Sequence, residues 1–287
     1  MISKNAIIES NDIQIGKNVV IGDNVEIRCP EKIHIGDNSV LTKDIKINCT
    51  SFEAGEYFYM TERCEIGRGG CYGPNSRVKI GKHVGIFEGT VINPSEEVEI
   101  GDDTGIGGDV MIWTHGAWLD VLQGFPSDFG PVKIGSNVWL PARSVVLPNV
   151  TIGNDVVIGI NSIINRSLPD GCFAAGSPCK VIKENVYPKE LSQGEKTNIV
   201  EGIIKDWIVL CEMKGITRTI KVRYECGNFP LESGKIFLNQ GYDETIYNIE
   251  ERNIQGYMND VAEDLRDYLR RRGIKIYTGK PFKSIKL

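Results

Sequence analysis

The sequence predicts a mainly β chain, a parallel β-helix of hexapeptide repeats over residues 1–184 followed by a small α+β domain over residues 197–287. Three observations carry this. An aliphatic–glycine pair followed two residues later by Asn or Asp recurs in steps of six or multiples of six, as at Ile134-Gly135-x-Asn137-Val138, Ile152-Gly153-x-Asp155-Val156 and Ile158-Gly159-x-Asn161-Ser162. That period belongs neither to a helix nor to a simple amphipathic strand, and a six-residue repeat is the signature of a parallel β-helix. The pattern then stops near Ile182, and the remaining texture is that of separate strands and a helix.

Each six-residue unit reads as a short strand plus a turn, and three units close one triangular coil. The aliphatic residue points inward and stacks on its equivalents one coil away. Gly, Asn and Asp supply the backbone angles of the corner. The repeat starts with Ile15-Gly16-x-Asn18-Val19 and Ile21-Gly22-x-Asn24-Val25, and Ile35-Gly36 follows after a corner insertion near Pro30. From Asn48 to Arg63 it lapses into an aromatic stretch, Tyr57-Phe58-Tyr59-Met60. It resumes at Ile66-Gly67, Ile80-Gly81-x-His83-Val84 and Ile100-Gly101 through Ile112, then breaks for a loop at 115–131. About eight coils remain, and they are stable only as an array, because one coil cannot bury its own interior.

Residues 185–196, polar and containing Pro188 and Gly194, read as a linker. Beyond them strands are expected at Ile203–Cys211, Thr217–Tyr224, Lys235–Leu238 and Thr245–Ile249, a helix from Asn253 to Arg272 with Asn253 as N-cap, and a last strand at Ile274–Tyr277.

Composition narrows the function classes. The net charge of -5 offers no electrostatic footprint for nucleic acid. Apolar runs are too short for a membrane span, and the N-terminus enters the repeat without a signal-like apolar core. The eight cysteines form no C-x-x-C pair, which suits a reduced, cytoplasmic protein.

The segment from Pro131 to Ile182 carries a resemblance. Pro131-Val132-x-Ile134-Gly135-x-Asn137-Val138-Trp139, Val145-Val146-Leu147-Pro148-Asn149-Val150-Thr151-Ile152-Gly153 and Ala175-Gly176-Ser177-Pro178-Cys179-Lys180-Val181-Ile182 resemble the hexapeptide-repeat acyltransferases of the maltose and galactoside O-acetyltransferase branch. The likeness extends over residues from about 64 to 184. It implies a left-handed β-helix, a homotrimer and acetyl-CoA as donor. No metal is expected, because the three histidines are widely separated along the chain. Left-handedness departs from the usual crossover rule and rests on the resemblance alone.

Transfer from a thioester to a hydroxyl needs a base, and imidazole is suited to that near neutral pH. His115 stands in Trp113-Thr114-His115-Gly116, where the repeat breaks into its loop, and it matches the family's catalytic histidine. His83 occupies a corner position filled elsewhere by Asn or Asp, so it reads as a turn residue, and His34 has a structural reading too. The resemblance also places Trp139, Ala142, Ile160, Asn165, Pro178, Lys180 and Lys183 along the donor, with the Ala142 amide as an oxyanion donor and the lysines on phosphate. Lysine serves there as a point charge. Glu88, Asn93 and Trp118 are the acceptor candidates, Trp118 among several loop aromatics.

Three functions stay open at this stage. One is an O-acetyltransferase acting on a sugar or glycan precursor. Another is an N-acetyltransferase acting on an amino sugar, and the third is a non-catalytic trimeric scaffold.

Overall fold

The structure, a computed structural model, describes residues 1–67, 71–216, 220–225, 234–283 and 285. It divides into two compact units, Met1–Lys189 and Glu190–Leu287.

The first unit is a left-handed parallel β-helix with three faces, here called I, II and III in the order the chain visits them. Face I has eight strands, from Ile7–Glu9 to Ile163–Ile164, and face II has seven, from Ile13–Ile15 to Thr151–Ile152. Face III has nine, from Val20–Ile21 to Lys180–Lys183. Stacking is parallel and in register, as in Val91–Asn93 against Met111–Trp113, until Lys180–Lys183 turns back antiparallel on Phe173–Ala175. The repeated aliphatic residues make the core. Ile27, Ile47, Ile66, Ile92, Ile112, Val146 and Ile164 line up behind face I with no exposure. Each such side chain contributes roughly 1.5–3 kcal/mol, an upper estimate against an extended unfolded chain.

Corners explain the polar half of the repeat. At the corner between faces II and III, Asn18, Asn38, Tyr57, His83, Asp103, Asn137 and Asp155 all adopt left-handed backbone with φ between 55 and 60°. His83 thus holds the turn position the repeat assigns it. The glycine two residues earlier lets coils approach, since a Cβ on Gly36 would lie 2.4 Å from the amide nitrogen of Glu56.

The lapse between Asn48 and Arg63 is a lapse of sequence only. Ser51–Ala54 and Tyr59–Met60 continue the ladders on faces II and III. Phe52, Phe58 and Met60 fill the interior completely buried, with the two rings 6.0 Å apart. Backbone pairing and interior volume set the coil, so aromatic residues replace aliphatic ones without breaking it. The break at residue 115 is genuine. His115–Gly116 and Asp128–Phe129 pair as a hairpin outside the prism, with a short 3₁₀ turn at Val121–Gln123 between them.

Several expectations for the second unit need correction. Ile203–Cys211 is not a strand but part of helix α1, Gln193–Met213, which begins inside the stretch read as a linker. Ser192 and Glu195 form a reciprocal capping box there. Exposed Ile199, Ile208, Val209 and Met213 flood the helix with apolar residues and mask the buried series Val200, Ile204, Trp207 and Cys211. Asn253 opens a strand, Asn253–Gly256, rather than a helix. Helix α2 runs from Asp260 to Arg270, and its cap is Asn259, whose side chain accepts from the amides of Val261 and Ala262 at 3.1 and 3.0 Å. Ile274–Tyr277 forms no strand. It lies as irregular chain with Ile276 buried, and the Arg266 guanidinium donates to the carbonyls of Ile276 and Pro281. The four strands Ile220–Glu225, Lys235–Gln240, Asp243–Asn248 and Asn253–Gly256 form an antiparallel meander. Residues 217–219 of the strand expected at Thr217–Tyr224 lie outside the described residues.

Seven of the eight cysteines fall among the described residues, all buried and unbonded, and Cys226 lies outside them. Burial pushes the thiols of Cys64, Cys71 and Cys211 up to about 11 from 9.0. Their neutral form is therefore favoured by folding, and that contribution is lost as pH rises from about 9 towards 11. The expected loss is on the order of 2 kcal/mol per thiol. Urea unfolding under reducing conditions should show it, and a stability unchanged between those pH values would contradict it. Among the described residues no helix is long and apolar enough to cross a membrane.

Candidate active site

His115 is placed by the last residues of a face I strand, Met111–Trp113, and by the hairpin that follows. Thr114 is fully buried and staples this point to the coil before it. Its hydroxyl donates to the Asn93 carbonyl at 2.8 Å and accepts from the Glu96 amide at 2.9 Å. The imidazole is partly buried between two rings. Phe129, its partner across the hairpin, stacks on it at 5.4 Å and 24°, and Trp113 meets it edge-on at 6.0 Å. Nδ1 lies 3.0 Å from Ser95 Oγ.

Ser95 escaped the sequence reading, although a signal was present. Ile92 to Ile100 spans eight residues where a plain corner spans six, so the coil swells beside His115 at Asn93-Pro94-Ser95-Glu96. Ser95 and Asn93 are 8% and 1% exposed. The Asn93 side-chain oxygen accepts from the Ser95 hydroxyl at 3.3 Å and from the Cys71 thiol at 3.4 Å. Asn93 is thus buried in the wall beside the histidine.

The other candidates separate into groups. Glu88 belongs to the corner between faces III and I, where it is exposed and pairs with Arg63. That is a different edge of the prism from the face I/II corner that carries His115. Trp118 stands at the hairpin tip, 95% exposed, and the ring that covers His115 is Phe129 instead. Asn165 is exposed on the same face I/II corner as His115, on a later coil.

Trp139 opens a face III strand, 44% exposed, and its indole lies over Gly105, where a Cβ would stand 2.7 Å from the ring. Ala142 and the exposed Ile160 sit at the corner between faces III and I. Lys180 and Lys183, both exposed, are in the antiparallel strand that ends face III. Pro178 precedes them after a cis Ser177–Pro178 bond and is also exposed. One chain therefore carries the histidine on one edge of the prism and most of the donor candidates on face III and the edge beyond it. Among the described residues no group of three or more His, Cys, Asp or Glu could hold a metal ion.

The bacterial transferase hexapeptide family, described as six repeats, matches residues 131–166. Residues 131–166 are thus similar to the hexapeptide-repeat transferases. An acetyltransferase-named protein of Saccharomyces cerevisiae is 39% identical over 116 residues, covering 39% of this chain and 58% of its own. Galactoside O-acetyltransferase of Escherichia coli is 48% identical over 54 residues, covering 19% of this chain and 27% of its own. The chain thus spans under two-thirds of the length of either relative. In three dimensions, UDP-N-acetylglucosamine O-acyltransferase from Moraxella catarrhalis has a TM-score of 0.53 at 18% identity, over 71% of this chain and 83% of its own. That likeness concerns the fold alone.

Proposed function

We propose that this hexapeptide-repeat protein is a cytoplasmic, acetyl-CoA-dependent O-acetyltransferase acting on a hydroxyl of a sugar or glycan precursor. The observation that carries the reading is His115, fixed by Ser95, Thr114 and Phe129 where the β-helix opens into its hairpin. A buried structural histidine needs no such opening. The acceptor hydroxyl attacks the thioester carbonyl carbon while His115 takes its proton. The tetrahedral intermediate then collapses, the carbon–sulfur bond breaks, and the imidazolium returns the proton to the departing CoA thiolate. The Ala142 amide is proposed to face the developing oxyanion. Pantetheine runs over Trp139, and Ile160 and Asn165 line the channel. Pro178, Lys180 and Lys183 meet the nucleotide end.

In one chain these groups lie on different edges of the prism, so the complete site needs a neighbouring copy. That supports a homotrimer with the donor channel between subunits. Glu88, Asn93 and Trp118 are proposed near the acceptor, Asn93 acting from within the wall. The test is direct. The protein is incubated with acetyl-CoA and a panel of sugars, nucleotide sugars and amino sugars, and thiol release and product mass are followed. An O-acetylated sugar is expected. An N-acetylated product, or no CoA binding at all, would replace this reading with an N-acetyltransferase or a scaffold.

Replacing both Lys180 and Lys183 with alanine should raise the KM for acetyl-CoA severalfold and flatten its dependence on salt, because exposed charge pairs are screened within about 10 Å at moderate ionic strength. An unchanged KM and salt response would return both lysines to solvated surface.

A further inference from the structure

We infer that Ser95, held by Asn93, sets the tautomer of His115, keeping the proton on Nδ1 and the lone pair on Nε2. This rests on the reading of His115 as the base, and Ser95 is a positioning residue within it. A hydroxyl has one proton to give and lone pairs to accept with. Ser95 gives its proton to the Asn93 side-chain oxygen, 3.3 Å away. Its oxygen, 3.0 Å from Nδ1, is then left as an acceptor and requires N–H on that side of the ring. A neutral imidazole carries one N–H, so Nε2 becomes the nitrogen able to take a proton.

The direction of this chain is set at its far end. The same Asn93 oxygen receives the Cys71 thiol at 3.4 Å. Burial pushes that thiol up to about 11, so at neutral pH it is a donor. An oxygen facing two donors is satisfied, whereas an amide NH₂ in its place would face the thiol proton. The frame around the chain is stiff. The Asn93 carbonyl accepts from the Thr114 hydroxyl and amide at 2.8 and 3.3 Å, and Pro94 between the two wall residues is buried. Phe129 stacked on the imidazole and Trp113 at its edge oppose a ring flip that would exchange the two nitrogens. The arrangement does for this histidine what a carboxylate does for the histidine of a Ser-His-Asp triad, without adding charge.

The test uses the full chain labelled with ¹⁵N-histidine, the His115 signals being assigned by their loss in His115→Gln. In the wild type the neutral ring should show N–H at Nδ1. Ser95→Ala should shift the ring towards N–H at Nε2 and lower kcat roughly 10–100-fold, the size usual for lost orienting partners, with the acetyl-CoA KM unchanged. Ser95→Thr, which keeps the hydroxyl, should restore both the tautomer and most of kcat. A wild-type ring protonated at Nε2 would overturn the inference, because Ser95 would then be donating to Nδ1. So would a Ser95→Ala protein with unaltered tautomer and kcat. The tautomer is read without turnover, so the wider reading fails separately, in a His115→Ala enzyme that stays active while the ring behaves as described.

Discussion

His115→Ala should lower kcat by about 10²–10⁴, the range for a lost general base, with little change in the KM for acetyl-CoA. The two effects separate because the proposed donor contacts, Trp139, Lys180 and Lys183, are on face III and its end, away from the corner that carries His115. An alcohol is a poor nucleophile until its proton is leaving, so the loss falls on the chemical step. His115 also lies against Phe129 and Trp113, and its removal leaves a gap beneath the hairpin. His115→Gln, closer in size, is therefore the companion variant, and both should be equally slow. A His115→Ala enzyme within a few-fold of wild type on a confirmed hydroxyl acceptor would remove the base. Activity retained only on amines would point instead to N-transfer, where a neutral amine needs less help.

Asp264→Ala should destabilise the second unit by about 3–5 kcal/mol, the cost of breaking a buried ion pair from one side. Asp264 has no exposure, and three donors converge on its carboxylate. Lys214 Nζ lies 2.6 Å and the Ile285 amide 2.7 Å from one oxygen, and Trp207 Nε1 lies 3.0 Å from the other. Removing it strands the Lys214 ammonium, whose side chain is 4% exposed, and leaves an indole N–H without its acceptor. The same carboxylate ties α1, α2 and Ile285 together, so the loss should be cooperative. Against a typical domain stability of about 5–15 kcal/mol, that is a large fraction. Hydrogen exchange read by mass spectrometry is the suitable measurement. Amides of α1 and α2 should lose protection while the face I, II and III ladders keep theirs. Unchanged protection in α1 would show that the carboxylate is not the clamp its contacts imply.

The two units were unequally legible, for a physical reason. In the β-helix each residue's environment is repeated by the coil above and below, so the same requirement is written many times. Ile27, Ile47, Ile66, Ile92 and Ile112 answer one interior column, and Asn18, Asn38, Asp103, Asn137 and Asp155 answer one corner. A single exception, such as Tyr57 in that corner, is outvoted. The second unit states each requirement once. Ile203–Cys211 was apolar enough for either a strand or a buried helix, and the capping pair Ser192 and Glu195 lay in residues read as a linker. Asn253 was read as the helix cap, but pairing with Asp243–Asn248 takes it into the sheet and leaves Asn259 to cap α2.

By itself the sequence determined the repeat, a break after Trp113 and the histidine at that break, because a period interrupted by a hairpin is visible in one dimension, whereas the structure was needed to show that the stretch from Asn48 to Arg63 is no break. Only the tertiary structure decided what surrounds that histidine. Ser95 is twenty residues from His115 along the chain and reaches it because the next coil stacks directly on the last. Glu88, seven residues before Ser95, is carried to another edge of the prism. Distance along a coiled chain says little about distance in space, and stacking register, a property of the folded array, settles which side chains meet.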